Sequence, residues 1–178
     1  MVRCFIGYLL PEDTKDEIVK LQNQMKEWPI VGKMVERENL HLSFSFLGEI
    51  EENQIKEISE KINIISKKFK KFEVEIGKLK AIPNESYIRV IALDVFDKTG
   101  NLKLIFEDVN KNIEGDSKPP HITLCRVKKV KNKNELRRLM FEENKNHGKF
   151  TIDAIQLIKS ELKKTGPVYS VLHQAELS

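Results

Sequence analysis

The sequence predicts an α+β fold, a single domain over residues 1–178 built from two similar lobes with mixed sheets and a groove between them. Three observations carry this. Apolar segments of strand length alternate with segments of helical period along the whole chain. The order strand, helix, strand occurs twice: "RCFIGYLL", a helix and "HLSF" in the first half, then "YIRVIALDV", a helix and "HITL" in the second. The histidines opening the two closing strands, His41 and His121, lie 80 residues apart, and no linker-like stretch separates the halves. Two equivalent units packed face to face are related by an approximate two-fold and leave a groove, a common place for a ligand.

Each element has its own signal. Arg3–Leu10 is apolar and aromatic-rich, bounded by Pro11, and reads as a buried strand. A helix follows from about Asp13, with Asp13 or Thr14 as N-cap; Ile18, Leu21 and Met25 recur at helical spacing, Trp28 anchors the end and Pro29 stops it. Asn39–Gly48 alternates and closes on glycine, a strand. Ile55, Ile58, Ile62 and Ile65 mark a helix over roughly Glu51–Lys70. Phe72–Leu79 and Ser86–Val95 are strands joined through a Pro83-Asn84 turn. Leu102, Ile105, Phe106 and Val109 mark a helix near Gly100–Ile113, and a loop through Pro119-Pro120 leads to the strand His121–Val127. A short helix near Asn134–Glu142 and two strands, about Phe150–Leu162 and Val168–Leu177, finish the chain.

Composition removes several classes of protein. Hydrophobic residues at 40% with charged residues at 33% suit a packed core under a solvated surface and exclude a disordered chain; 8 Gly and 6 Pro exclude a fibrous repeat. Cys4 and Cys125 have no CxxC spacing and are too few for a disulfide scaffold, so they read as reduced, buried thiols of a cytoplasmic protein. No apolar run reaches the roughly 20 residues that span a bilayer. The opening "MVRCFIGYLLPED" runs into proline and carboxylates without a cleavage site, and reads as a strand rather than a leader. A net charge of +4 can attract a polyanion without announcing a duplex-DNA binder, and the lysine runs 67–71 and 128–133 read as solvated surface.

The chemistry concentrates at the two histidines. Alternation places His41 with Ser43 on one face and Leu42 with Phe44 on the other; His121 with Thr123 and Ile122 with Leu124 repeat the pattern. Each unit thus presents an imidazole and a hydroxyl side by side. Two imidazoles near pKa 6.5 can divide general acid and general base duties, and two hydroxyls can donate to phosphate oxygens, the set needed for in-line displacement at phosphorus. No third ligand stands at metal-binding spacing, and neither a nucleotide-binding glycine loop nor a G-x-S-x-G elbow is present, so no metal and no cofactor is expected. Cys125 shares the parity of His121 and Thr123, which leaves a Cys–His nucleophile pair as a competing reading. His147 lies in a polar turn and reads as exposed, and His173 reads as a half-buried structural residue.

With "ENLHLSFSFLGEI" and "PPHITLCRV", the opening "RCFIGYLLPEDTKDEI" and the late "SELKKTGPVYSVL" with Tyr169, the sequence resembles the two-histidine phosphoesterase superfamily over essentially its whole length. More narrowly it resembles the LigT-like RNA 2′,3′-cyclic phosphodiesterases, first described as RNA 2′-5′ ligases. The resemblance implies a bilobal fold of antiparallel or mixed sheet with helices outside, both motifs facing a central cleft and no metal. It implies hydrolysis of an RNA-terminal 2′,3′-cyclic phosphate to a 2′-phosphate, with 2′-5′ joining as the reverse displacement. The implied partners are RNA with cyclic phosphate ends, tRNA fragments among them, with no membrane; the protein itself is expected to be a monomer. His41 and His121 become the acid–base pair, and Ser43 and Thr123 become phosphate ligands; the favoured direction has His121 activating water and His41 protonating O3′, and the sequence leaves the reverse open. Ser43 stands where the branch more often has Thr, and retains the hydroxyl. Five residues after each histidine, Phe46 would stack on a base and Arg126 would contact phosphate. Strict alternation puts both on the face away from the histidines, so each needs a bulge or a strand end to re-aim it. The competing readings are a non-catalytic RNA-end sensor and an esterase of small cyclic nucleotides.

Overall fold

Four helices and nine strands follow the predicted order, with one strand added and one predicted strand divided in two, in a computed structural model that describes residues 1–178. The elements are β1 (Val2–Leu9), α1 (Glu12–Met25), β2 (Ile30–Met34), β3 (His41–Ile50), α2 (Gln54–Ser66), β4 (Phe72–Asn84), β5 (Tyr87–Phe96), α3 (Asn101–Asn112), β6 (His121–Val130), α4 (Lys133–Glu142), β7 (Gly148–Ile152), β8 (Ala154–Lys163) and β9 (Gly166–Glu176). The strands run β7-β4-β5-β6-β3-β1-β8-β9, with β2 also on β6. The quartets β3-β1-β8-β9 and β6-β5-β4-β7 are the two lobes, and one residue pair, Leu42 opposite Ile122, joins β3 to β6.

Every pairing is antiparallel, so of the antiparallel or mixed sheet expected the antiparallel form holds. A strand–helix–strand order suggests a parallel crossover because the helix returns the chain to its starting end. Here the chain reverses once more before re-entering the sheet, through β2 and the helical turn Arg37–Asn39 in one unit and the 113–120 loop in the other.

The helices pack outside. Of their predicted apolar stripes, Ile18/Leu21/Met25, Ile58/Ile62/Ile65 and Leu102/Ile105/Val109 are buried, while Ile55 and Phe106 are partly buried against the core. Helix α1 leaves the β1 lobe to lie against β7, and α3 leaves the β5 lobe to lie against β3. This exchange gives the lobes one continuous core of 36 buried residues.

Several boundaries differ from the sequence reading. The segment expected as one strand over 150–162 breaks at Asp153, where the chain passes from the edge of β4 to the edge of β1 and the carboxylate accepts a 2.9 Å bond from the Tyr8 hydroxyl. Strand β4 continues through Asn84, and the turn falls at 85–86, where the Asn84 carboxamide oxygen accepts from the amides of Ser86 and Tyr87. Helix α1 begins at Glu12 behind Pro11 with no side-chain cap, because Asp13 instead accepts from the Thr14 amide inside the first turn. Trp28 is buried at the end of α1, its amide donating to the Met25 carbonyl. Helix α2 is shorter than expected at both ends. Strand β2, largely exposed and interrupted by Gly32, gives no apolar alternation to detect. Gly32 is required: a Cβ there would run into the Arg126 carbonyl oxygen. His147 is not exposed; its side chain is 9% accessible and its Nδ1 bonds the Gly77 carbonyl at 2.8 Å. His173 is half-buried, with Nε2 2.7 Å from the Asn63 carboxamide oxygen.

Candidate active site

His41 and His121 are the first residues of β3 and β6, beside the Leu42–Ile122 seam. Leu42 and Ile122 are fully buried on the helix side, which turns both histidines to the opposite, concave face. The rings are fixed alike. His41 Nδ1 lies 2.7 Å from the Asn39 carbonyl, and His121 Nδ1 lies 2.9 Å from the Pro119 carbonyl, in each case two residues upstream. A carbonyl can only accept, so Nδ1 carries the hydrogen and Nε2 of the neutral ring is left as the basic atom. Asn39 is itself held, its side-chain amide donating to the Pro167 carbonyl at 2.7 Å.

The surroundings of the rings differ. His41 sits among aromatics, 4.8 Å between centroids from Phe5 and 5.3 Å from Tyr169 in an edge arrangement. Burial there, only partly opposed by the Asn39 bond and reinforced by the charge of Arg126, pulls its pKa down to about 4. His121 is also lowered, chiefly by burial, with Lys80 and Lys118 adding to the effect and Asp94 opposing it. Lys80 and Asp94 form a 2.6 Å ion pair beside it.

The hydroxyls follow on the same face. Ser43 stands opposite Gly7, and Thr123 stands opposite Ala92. Each hydroxyl thus faces a residue with little or no side chain. A Cβ on Gly7 would meet the Leu42 carbonyl oxygen, so the close approach of β1 to the first motif needs glycine.

Immediately beyond the hydroxyls each strand carries a bulge at the fourth residue of its motif. Ser45 pairs with Ile6 and Ser43 with Gly7, leaving Phe44 over; Cys125 pairs with Ile91 and Thr123 with Ala92, leaving Leu124 over. The extra residue inverts the alternation. Phe46 therefore comes opposite Phe5, and Arg126 opposite Val90, both on the histidine face. The Phe46 ring is 41% exposed and 5.9 Å from Phe5, and Arg126 is exposed with its charge acting on both His41 and Tyr169. The same bulge withdraws Cys125, which is fully buried with its thiol pushed up to about 11, so it forms no nucleophile pair with His121. Both cysteines are free and buried.

Sequence reasoning did not single out Phe5, Asn39, Lys80 or the position of Tyr169 as part of this site. Tyr169 lies on β9, three strands from β3, some 14 Å away in a flat sheet. Its contact with His41 exists only because the sheet curls on itself, and no local pattern encodes that. Nowhere in the chain do three or more His, Cys, Asp or Glu side chains cluster as a metal site would require.

Comparison with known proteins places this arrangement. A family described as LigT like phosphoesterase matches residues 9–92. The chain is 34% identical to the RNA 2′,3′-cyclic phosphodiesterase of Methanocaldococcus jannaschii over 97% of this chain and 99% of that one. It is 31% identical to the RNA 2′,3′-cyclic phosphodiesterase of Methanothermobacter thermautotrophicus over 95% of each. A crystal structure from Thermus thermophilus superimposes with a TM-score of 0.78 at 25% identity, covering 98% of this chain and 97% of that one. E. coli LigT complexed with 3′-AMP shares the fold, with a TM-score of 0.79 at 20% identity over 99% and 98% of the two chains.

Proposed function

Since this chain belongs to the LigT-like phosphoesterases of the two-histidine superfamily, we propose that it hydrolyses the 2′,3′-cyclic phosphate at an RNA end to a 2′-phosphate, with His41 and His121 as a metal-independent acid–base pair. One observation carries this reading: two imidazoles held in the same tautomer by equivalent carbonyls, each with a hydroxyl two residues on, open onto one concave face.

The chemistry follows from that geometry. The cyclic phosphate sits between the rings, its non-bridging oxygens accepting from the Ser43 and Thr123 hydroxyls and from Arg126. His121 Nε2 takes a proton from water as the water oxygen bonds to phosphorus. The bond from phosphorus to O3′ breaks, and protonated His41 gives its proton to O3′; the 2′ bond stays intact. A 5′-hydroxyl attacking in place of water would leave a 2′-5′ linkage by the same displacement. The acid role of His41 is supported by its neighbours. Burial is the main cause of its lowered pKa and the Arg126 charge adds to it; a phosphate bound to Arg126 cancels that smaller contribution while adding a negative charge, so bound substrate favours the protonated ring. Phe46, exposed beside the cleft, offers a face for the terminal base.

Incubation with a 2′,3′-cyclic-phosphate-ended oligonucleotide in EDTA tests the reading. A 2′-phosphate product, abolished in His41→Ala and in His121→Ala, is expected. A 3′-phosphate product, or turnover by either variant at the wild-type rate, overturns it.

A further inference from the structure

Two hollows flank the histidine cleft, one beyond Phe46 and one beyond Arg126, and they are opposite in charge. The first, of about 820 Å³, is lined by Glu49, Glu57, Glu114 and Asp116 against a single cation, Lys61. The second, of about 530 Å³, is lined by Lys33, Arg89, Arg126 and Lys128, with no carboxylate in its wall. Its floor is an open strand edge: pairing of β5 to β6 ends at Val90 opposite Arg126, whereas β2 stays paired along the other side of β6 as far as Val130. Across that opening stands Tyr87, 61% exposed, with the Arg89 guanidinium 5.7 Å from its ring centroid.

We propose that this groove binds single-stranded RNA, holding the nucleotides immediately upstream of the cyclic end. The proposal rests on the reading above for the seat of the terminal phosphate. A terminal nucleoside has one covalent exit, its 5′-phosphodiester. Arg126 belongs to both the cleft and the groove, so a chain leaving the cleft on that side enters a wall that also carries Lys33, Lys128 and Arg89. A chain leaving past Phe46 would enter the acidic hollow and be repelled. Tyr87, with the Arg89 guanidinium over one face, presents its other face as the kind of platform on which an unpaired base stacks, and a volume near 530 Å³ accommodates about one nucleotide. The groove selects a polymer over a free cyclic nucleotide, and a flexible strand over a duplex, whose bases cannot reach the tyrosine.

The test measures binding and turnover separately. Equilibrium binding of a labelled ten-nucleotide RNA with a cyclic phosphate end is compared in wild-type, Lys128→Glu/Arg89→Glu and Tyr87→Ala proteins, beside turnover of a nucleoside 2′,3′-cyclic phosphate. The charge-reversal variant is expected to bind RNA at least roughly tenfold more weakly, with the salt slope of log affinity flatter by about 1–2. Tyr87→Ala is expected to lose roughly five- to tenfold. Turnover of the small cyclic nucleotide should stay at the wild-type rate in both. RNA binding unchanged in the variants, turnover of the small substrate lost in parallel with RNA binding, or duplex RNA competing as well as single strand each overturns the groove. Wild-type RNA binding that depends on the groove without hydrolysis of either substrate would instead sink the proposed reaction and leave the groove standing.

Discussion

The lobe that carries His41 and the lobe that carries His121 share a backbone and differ in what lines it. Both start a strand at the histidine, tie Nδ1 to the carbonyl two residues back, place a hydroxyl opposite a small residue and bulge at the next position. Around that common frame, His41 has Phe5, Phe46 and Tyr169, while His121 has Lys80, Asp94, Lys118 and Arg126 within electrostatic reach or on its own strand. The repeated backbone delivers two equivalent proton carriers. The divergent linings make them inequivalent, one in an apolar box and one among charges, and an acid–base pair requires that asymmetry.

The sharpest way to break the comparison is to remove one ring at a time. His41→Ala and His121→Ala are each expected to lower kcat by about 10²–10⁴-fold. The double variant should be little worse than either single one, because the rings act on one displacement. Losses that simply multiply would mean the rings work independently. Next in size is a difference in stability between the hydroxyl sites. Gly7→Ala drives a Cβ into the Leu42 carbonyl and should cost about 2 kcal/mol, a fall of several degrees in Tm. Ala92→Gly, at the matching place in the other lobe, should cost only about 1 kcal/mol, in thermal melts of the two variants.

The legibility of the site followed its physical origin. His41, His121, Ser43 and Thr123 could be read from sequence because alternation and the repeat are local, as were the helical stripes that pack outside the sheet. Phe46 and Arg126 could not be assigned a face, since each depends on a bulge at Phe44 or Leu124 and a bulge has no residue signature when its extra residue is an ordinary core hydrophobe. The placement of Tyr169 was out of reach for a different reason: it meets His41 through the return of β9, a long-range closure. The two flanking hollows share this property, being assembled from three or more separate segments each.

Titration sharpens the comparison further. kcat/KM reports the free protein, where both imidazoles are lowered, His41 to about 4. One ring must be neutral and the other protonated, so the profile should be bell-shaped with its maximum acidic of pH 6.5. Lys80→Met removes a cation from beside His121 and frees the Asp94 carboxylate, and both changes raise His121. The limb belonging to His121 should therefore move to higher pH while the His41 limb stays. Stability has its own sign. Above pH 6.5 His41 is neutral folded or unfolded and contributes nothing. Between pH 6.5 and about 4 the unfolded chain binds a proton that the folded ring refuses, so stability falls as pH falls, by about 2 kcal/mol after allowance for its partial exposure. Denaturant midpoints measured across that range should lose this slope in His41→Asn.

The smallest effect concerns the hydroxyls, which differ between lobes as Ser43 and Thr123. Ser43 is buried at 7% exposure and Thr123 is more open, yet both stand on the face of the adjacent imidazole. If each acts only as a donor to a phosphate oxygen, the methyl group is incidental. Thr123→Ser should then keep kcat/KM within about threefold. Ser43→Thr should do likewise, because it keeps the same donor at the same backbone position. Thr123→Val and Ser43→Ala, which remove the donor to a charged oxygen, should each lose about tenfold or more. Steady-state kinetics on the cyclic-phosphate-ended RNA separates the outcomes. Equal losses in the Ser/Thr exchanges and in the hydroxyl deletions would mean that packing around the motif, and not donation to phosphate, accounts for the hydroxyl in each lobe.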